Sequence, residues 1–180
     1  VTDSSKDPNA VDYWCLKFEC ESDFAYTGNK PSTHTFGAAT CIRAQGCTGT
    51  VKINLPQDQT YTFTMRAGSM YYPLTNDLLI DGEKVGTFKI SQTGASLGDF
   101  EIDVPLKAGE HTVTVNFADE FNSGNDYVII TCPELDYLVK GDTDGSAIKA
   151  FWLEMREYLD NKHPGTVLIA EWDFPDKSIP

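Results

Sequence analysis

At 180 residues with 41% hydrophobic side chains, the chain is long enough for one domain plus a small appendage and apolar enough to bury a core, which excludes wholesale disorder. No run of about 18 apolar residues occurs, so no membrane-spanning helix and no membrane partner are expected. Asp and Glu number 27 against 14 Lys and Arg, a net charge of −13, and that field repels a phosphate backbone, so nucleic acid is excluded as a partner.

The chain opens on a polar leader, VTDSSKDPNA. YWCLKFEC then alternates, with Trp14, Leu16, Phe18 and Cys20 on one face and Cys15, Lys17 and Glu19 on the other, the pattern of a half-buried strand. Residues 21 to 49 are rich in Gly, Ser, Thr and Pro and read as long loops with short strands around Phe24, Tyr26 and Phe36. VKINL and TYTFTMRA alternate on either side of a PQDQ turn, with Tyr61, Phe63 and Met65 on one face. DLLIDGEKVGTFKI carries Asp81-Gly82 between two apolar runs, a hairpin signal because both turn residues tolerate positive φ. FEIDVPL follows, and a KAGE turn leads into HTVTVNF, with Val113, Val115 and Phe117 facing inward, and then into the strand YVIIT. Strands at this spacing predict a mainly β fold, an antiparallel β-sandwich or jelly roll, over residues 1–140.

After Gly141 the period becomes helical. Ile148, Phe151, Trp152, Met155 and Leu159 recur near 3.6, Ser146 caps the start, and Asn161, Pro164 and Gly165 stop it; TVLIA is then an apolar strand. Residues 141–180 therefore read as a short helix-strand appendage, an α/β tail distinct in style from the sandwich.

Five cysteines contain no CxxC pair and only three His accompany them, so a structural zinc site is unsupported. Cys41 and Cys47 are spaced to close a small loop, and Cys15 or Cys20 to reach Cys132; five reduced thiols are the alternative. Two disulfides and one free thiol suit a secreted, extracellular protein. The start at Val1, without initiator Met or signal peptide, fits a processed or excised segment.

Two stretches carry candidate chemistry. Before the last strand of the sandwich, Asp119, Glu120, Asn122, Asn125 and Asp126 crowd together. Hard cations such as Ca²⁺ take about 6 to 8 oxygen ligands, and clustered carboxylates repel unless a cation or water intervenes. A solvated acidic loop is the bland alternative, and no EF-hand spacing is present. In SMYYPLTND, Tyr71 and Tyr72 offer ring faces for a pyranose, while Asn76 and Asp77 reach the acidic loop if the two segments are neighbours. One tyrosine plugging the end of the sandwich is the alternative. His34, His111 and His163 are scattered, with no nucleophile placed beside them.

The order TYTFTMRA, NDLLIDGEKVGTF, AGEHTVTVNFADE, NDYVII resembles the calcium-dependent xylan-binding modules and their jelly-roll relatives, over about half the chain. The resemblance implies a non-catalytic carbohydrate-binding module for plant polysaccharide, of xylan or β-glucan type, in which Ca²⁺ meets sugar hydroxyls. Asp119 and Asp126 are the matching ligands and Asp77 a looser one; where the relatives have a tight Asn-Asp after the phenylalanine, this chain has Ala118-Asp119-Glu120 and a longer connection. Asn76 and Asn125 join Tyr71 and Tyr72 as expected sugar contacts.

The tail is similar to a fragment of the α-amylase family of glycoside hydrolases, in which Glu171 of LIAEW matches the general acid/base. No G-x-R-x-D motif supplies the second carboxylate, Asp136 has no Arg before it, and residues 141–180 cannot build a barrel of about 250 residues. An attached glycoside hydrolase catalytic domain is the partner this implies. The competing readings are a starch-binding segment of such an enzyme and an adhesive extracellular sandwich that self-associates through its C-terminal helix.

Overall fold

The computed structural model of the chain describes residues 13–44, 46–118 and 122–140, with further residues between 154 and 163. The chain divides into two compact units, one of residues 13–134 and one of residues 1–12 with 135–180. Trp152, Glu171 and the apolar TVLIA run lie outside the described residues, and residues 154, 155, 157–159, 161 and 162 are helical where the 3.6 period predicts it.

Unit 13–134 is built from eleven strands: β1 Cys15–Glu19, β2 Ala25–Gly28, β3 Ser32–Phe36, β4 Ala39–Arg43, β5 Cys47–Leu55, β6 Gln59–Ser69, β7 Leu74–Ile80, β8 Glu83–Ile90, β9 Gly98–Leu106, β10 Gly109–Asn116 and β11 Ser123–Thr131. They form two antiparallel sheets, one in the order β3-β4-β11-β6-β9 with β1 also on β11, the other β2-β5-β10-β7-β8. β6 lines one edge of β11 from Ser123 to Thr131. β1 and β4 must therefore share the other edge, β4 at Asn125 and β1 along Tyr127–Thr131.

Alternation supplies the core. Tyr61, Phe63, Met65, Val128 and Ile130 from the six-stranded sheet, and Leu78, Ile80, Val113, Val115, Phe88 and Ile90 from the five-stranded sheet, are at most 5% exposed. Each fully buried aliphatic or Phe side chain contributes about 1.5–3 kcal/mol, so this layer drives folding. The expected short strands around Phe24, Tyr26 and Phe36 form as β2 to β4. The expected Asp81-Gly82 hairpin also forms, with φ of 52° and 87°, the two positive values a type I′ turn requires.

The expected disulfides do not form: all five cysteines are free. Cys41 and Cys47 lie on β4 and β5, strands of different sheets. Cys20 stands beside Asp126, whereas Cys132 follows Thr131, opposite Cys15, at the far end of the same ladder. Cys15 and Cys132 are near in register, but Cys132 is fully buried while Cys15 is partly exposed on the other face. Burial pushes the Cys41 thiol up to about 12 and raises that of Cys20 strongly, so both stay protonated and unreactive.

Asp81 also fastens its hairpin to β10. One carboxylate oxygen accepts from Thr112 N–H and the other from His111 Nδ1, both at 2.7 Å, while His111 Nε2 donates to the Lys107 carbonyl at 2.9 Å. Both ring nitrogens face acceptors, so the imidazolium is the form that satisfies the site. The Asp81 carboxylate, then the Lys107 carbonyl, raise the His111 pKa; the Thr112 amide, then His111, lower that of Asp81. The histidine's contribution is complete below its unfolded value of about 6.5 and is lost as pH rises through the higher folded value. The aspartate's contribution is lost only as pH falls through its own lowered value. Between about pH 6 and about pH 9, the unfolding midpoint of the wild type should fall more than that of His111→Gln, measured by circular dichroism; parallel curves would remove the clasp from the account.

Candidate functional site

Two connections meet at one end of the sandwich. β6 ends at Ser69 and β7 begins at Leu74; β10 ends at Asn116 and β11 begins at Ser123. Ser69 pairs with Ser123 and Asn116 with Asp77, so both connections leave from the same end. Met70 N–H donates to the Asn122 carbonyl at 2.9 Å, which sets the connections side by side, as the sequence reading requires. A third segment braces the first: Thr93 N–H donates to Ser69 O at 2.9 Å and Gln92 Nε2 to Met70 O at 3.3 Å. On the turn held this way stand Tyr71 and Tyr72, 54% and 64% exposed, ring centroids 6.3 Å apart and planes at 60°. Neither ring plugs the sandwich.

The two asparagines expected beside them are brought together, but inside the protein. Asn76 and Asn125 are 1% and 2% exposed. Asn76 Nδ2 donates to Asn125 Oδ1 at 2.9 Å and to Met65 Sδ at 3.2 Å, and Asn76 Oδ1 accepts from Ala118 N–H at 2.9 Å. Both amide hydrogens of Asn76 are taken and its oxygen already accepts from Ala118, inside the protein and away from solvent. Both amides, expected as sugar contacts, stand beneath the tyrosine turn and out of solvent.

The expected metal set is divided. Asp119 and Glu120 lie outside the described residues. Asp77 and Asp126 are not brought together. Asp77 follows inward Asn76 and so faces out of the five-stranded sheet, where its carboxylate meets Lys84 Nζ and the Thr87 hydroxyl, each at 2.8 Å. Those two partners, Lys84 first, lower its pKa, and no cation is needed to satisfy it.

Asp126 lies in the other sheet and has different company. β11 holds an extra residue between Asn125 and Tyr127, a β-bulge, and the Asp126 carbonyl accepts from Cys20 N–H at 2.8 Å. Carboxylate oxygens of Glu19, Glu21 and Asp126 lie within 4.8 Å of one another. Burial, then Glu19 and Glu21, push the Asp126 carboxyl up, against the opposing pull of Arg66 and Lys17. Lys17 Nζ sits 2.6 Å from Glu19, and Arg66 reaches Asp126 at 3.5 Å while also holding Asp99 at 3.2 Å, so neutralisation is incomplete. Three carboxylates offer up to six hard oxygens, a donor set that suits Ca²⁺. A groove of about 470 Å³, lined by Glu21, Tyr26, Lys30, Thr33 and Ile42 among others, opens beside the cluster. Glu19 and Glu21 were missed as candidates: Glu19 ends β1 and Glu21 lies in the turn after it, so strand alternation does not bring them together.

No protein-family model matches the chain, and no curated protein matches it in sequence. Solved structures do match its fold. The CBM36-1 domain of a multidomain xylanase from the hindgut metagenome of Trinervitermes trinervoides aligns with a TM-score of 0.55 at 21% identity, over 66% of this chain and 97% of that one. A carbohydrate-binding module CBM36, solved in complex with calcium and xylotriose, aligns with a TM-score of 0.53 at 15% identity, over 64% and 99%. The C-terminal CBM6 of LamC, a marine laminarinase from Zobellia galactanivorans, aligns with a TM-score of 0.57 at 17% identity, over 66% and 99%. The fold of this chain is that of the carbohydrate-binding β-sandwich modules.

The charge cluster has a consequence in the absence of metal. A carboxyl whose folded pKa is raised adds stability as pH falls through that value and loses it as pH rises. The lowered carboxyls of Asp77 and Asp81 act mainly below about pH 4. In chelator, acidification from about pH 7 down to about pH 4 should therefore stabilise the wild type relative to Asp126→Asn in urea titrations; equal responses would show that Asp126 does not carry the strain.

Proposed function

We propose that this chain is a non-catalytic carbohydrate-binding module for plant polysaccharide of xylan or β-glucan type, assisted by Ca²⁺. The observation that carries the reading is the exposed Tyr71–Tyr72 pair, fixed on a braced turn beside the Ala118–Asn122 connection. Two tilted rings about one sugar apart present apolar faces for pyranose stacking, and Asn122, bonded to the residue before them, is a polar neighbour for sugar hydroxyls. The sandwich that displays them has the fold of modules solved as parts of a xylanase and a laminarinase, one of that fold with calcium and xylotriose. Such a module works outside the cell, attached to a glycoside hydrolase that cuts the polymer it holds.

The cation belongs with Glu19, Glu21 and Asp126. That cluster lies on the outer face of the six-stranded sheet, down β11 from the tyrosine turn. Ca²⁺ there ties the end of β1 to the β11 bulge and removes the carboxylate repulsion, so it acts on the scaffold. Asp119 and Glu120 remain the candidates for any cation that meets the sugar directly.

Affinity electrophoresis against xylan, β-glucan and starch tests the reading. Retardation in xylan or β-glucan is expected, and Tyr71→Ala and Tyr72→Ala should each weaken it about fivefold, the equivalent of about 1 kcal/mol of ring contact. No retardation in any gel would defeat the binding module, and retardation in starch alone would move the ligand to α-glucan. Ca²⁺ should raise the unfolding midpoint of the wild type and leave Glu21→Gln and Asp126→Asn unmoved; an equal shift in all three would place the cation elsewhere.

A further inference from the structure

We infer that Asn76 is a positioning residue for the ligand end, holding through Asn125 and Ala118 the spacing between the tyrosine turn and the 118–122 connection; this rests on the proposed carbohydrate site. Asn76 sits on β7 of the five-stranded sheet and Asn125 on β11 of the six-stranded sheet, so the 2.9 Å bond between their amides crosses from one sheet to the other. The remaining oxygen of Asn76 takes Ala118 N–H at 2.9 Å, the first backbone donor after β10 and Phe117. One side chain thus joins both sheets and the first stem of the connection. Asn125 passes the restraint on along β11 to Asn122, whose carbonyl holds Met70 N–H, immediately before Tyr71.

The placement has a cost that an apolar side chain would avoid. Buried amides must meet every partner or lose stability, and the facing positions on both strands are otherwise apolar: Leu78 and Ile80 follow Asn76, and Val128 and Ile130 follow Asn125. Packing alone would be served by Leu or Val. What the amide adds is direction, since it bonds only when β7, β11 and Ala118 stand in one arrangement. The next inward pair toward the ligand end, Ser69 and Ser123, is also buried and polar, so among the described residues the buried polar side chains gather beneath the two connections.

Amide hydrogen exchange by NMR, together with binding to the polysaccharide that retards the wild type, tests the assignment. Asn76→Leu should speed exchange at Ala118 and Met70 at least about tenfold beyond any change in the β5–β10 ladder, and weaken binding about tenfold with both tyrosines intact. Should Asn76→Leu not fold, Ala118→Pro removes the same hydrogen bond from outside the core and should show the same selective loss at Met70 and in affinity. Exchange that rises equally everywhere, or faster exchange at Ala118 with Met70 and the affinity unchanged, overturns the positioning role and leaves a plain structural one. A wild type that binds no polysaccharide defeats the proposed function, while the exchange measurements still decide the linkage from Asn76 to Met70.

Discussion

One extra residue in β11 sets the direction of the side chains at the start of that strand, beneath the tyrosine turn. Val128 and Ile130 face the core, and strict alternation backward from them would turn Asp126 inward and Asn125 to solvent. The bulge between Asn125 and Tyr127 reverses that parity. Asn125 enters the interior, where it meets Asn76, and Asp126 emerges on the outer face beside Glu19, Glu21 and Arg66. Gly124, on the side opposite Asn125, lies under Phe36, where a Cβ would stand 2.6 Å from the ring's Cγ. The first residues of β11 are therefore covered on both faces, and the bulge is held in place by packing above and hydrogen bonding below.

The same inversion explains the uneven charge distribution on the outer face. Asp126 leaves a core that could not hold it and joins two glutamates, while one guanidinium is divided between it and Asp99. Carboxylates this close either take up a proton or share a positive charge. A hard cation answers the second need with charge and coordination at once, and it would fasten β1 to the bulge that positions Asn125. Scaffold charge and interior hydrogen bonding thus act on neighbouring residues of one strand from opposite faces.

Much of the sandwich is legible in the sequence because it rests on period-two alternation and local turn chemistry. Tyr61, Phe63 and Met65, Val113 and Val115, and the Asp81-Gly82 turn all stand where those signals put them. The tyrosine pair was legible too, since Met-Tyr-Tyr-Pro interrupts alternation with large rings. Asn76 faces inward and Asp77 outward by the same alternation that buries Leu78 and Ile80, whereas the inward turn of Asn125 rests on a bulge that leaves no mark in residue type. The Glu19–Glu21 pair was hidden differently. It is distant from Asp126 in sequence and meets it only because β1 and β4 abut on one edge of β11, a fact of pairing that no local pattern encodes. The disulfides failed on the same ground, since spacing along the chain places Cys41 beside Cys47 while topology puts them in different sheets.

Recognition by ring stacking demands order before the ligand arrives. Each ring contributes about 1 kcal/mol beyond its buried area, whereas ordering one backbone residue costs about 1–2 kcal/mol. A mobile turn of this length would cancel the gain from two tyrosines. Here the turn is held at Ser69 and Met70 by Thr93, Gln92 and Asn122, and the connection that supplies Asn122 is held in turn at Ala118 by Asn76. The ordering is thus completed during folding, by bonds that also join the two sheets. On the proposed reading, a surface that exposes two large rings to water can spend their stacking energy on a sugar because the polar interior beneath it has already fixed where those rings stand.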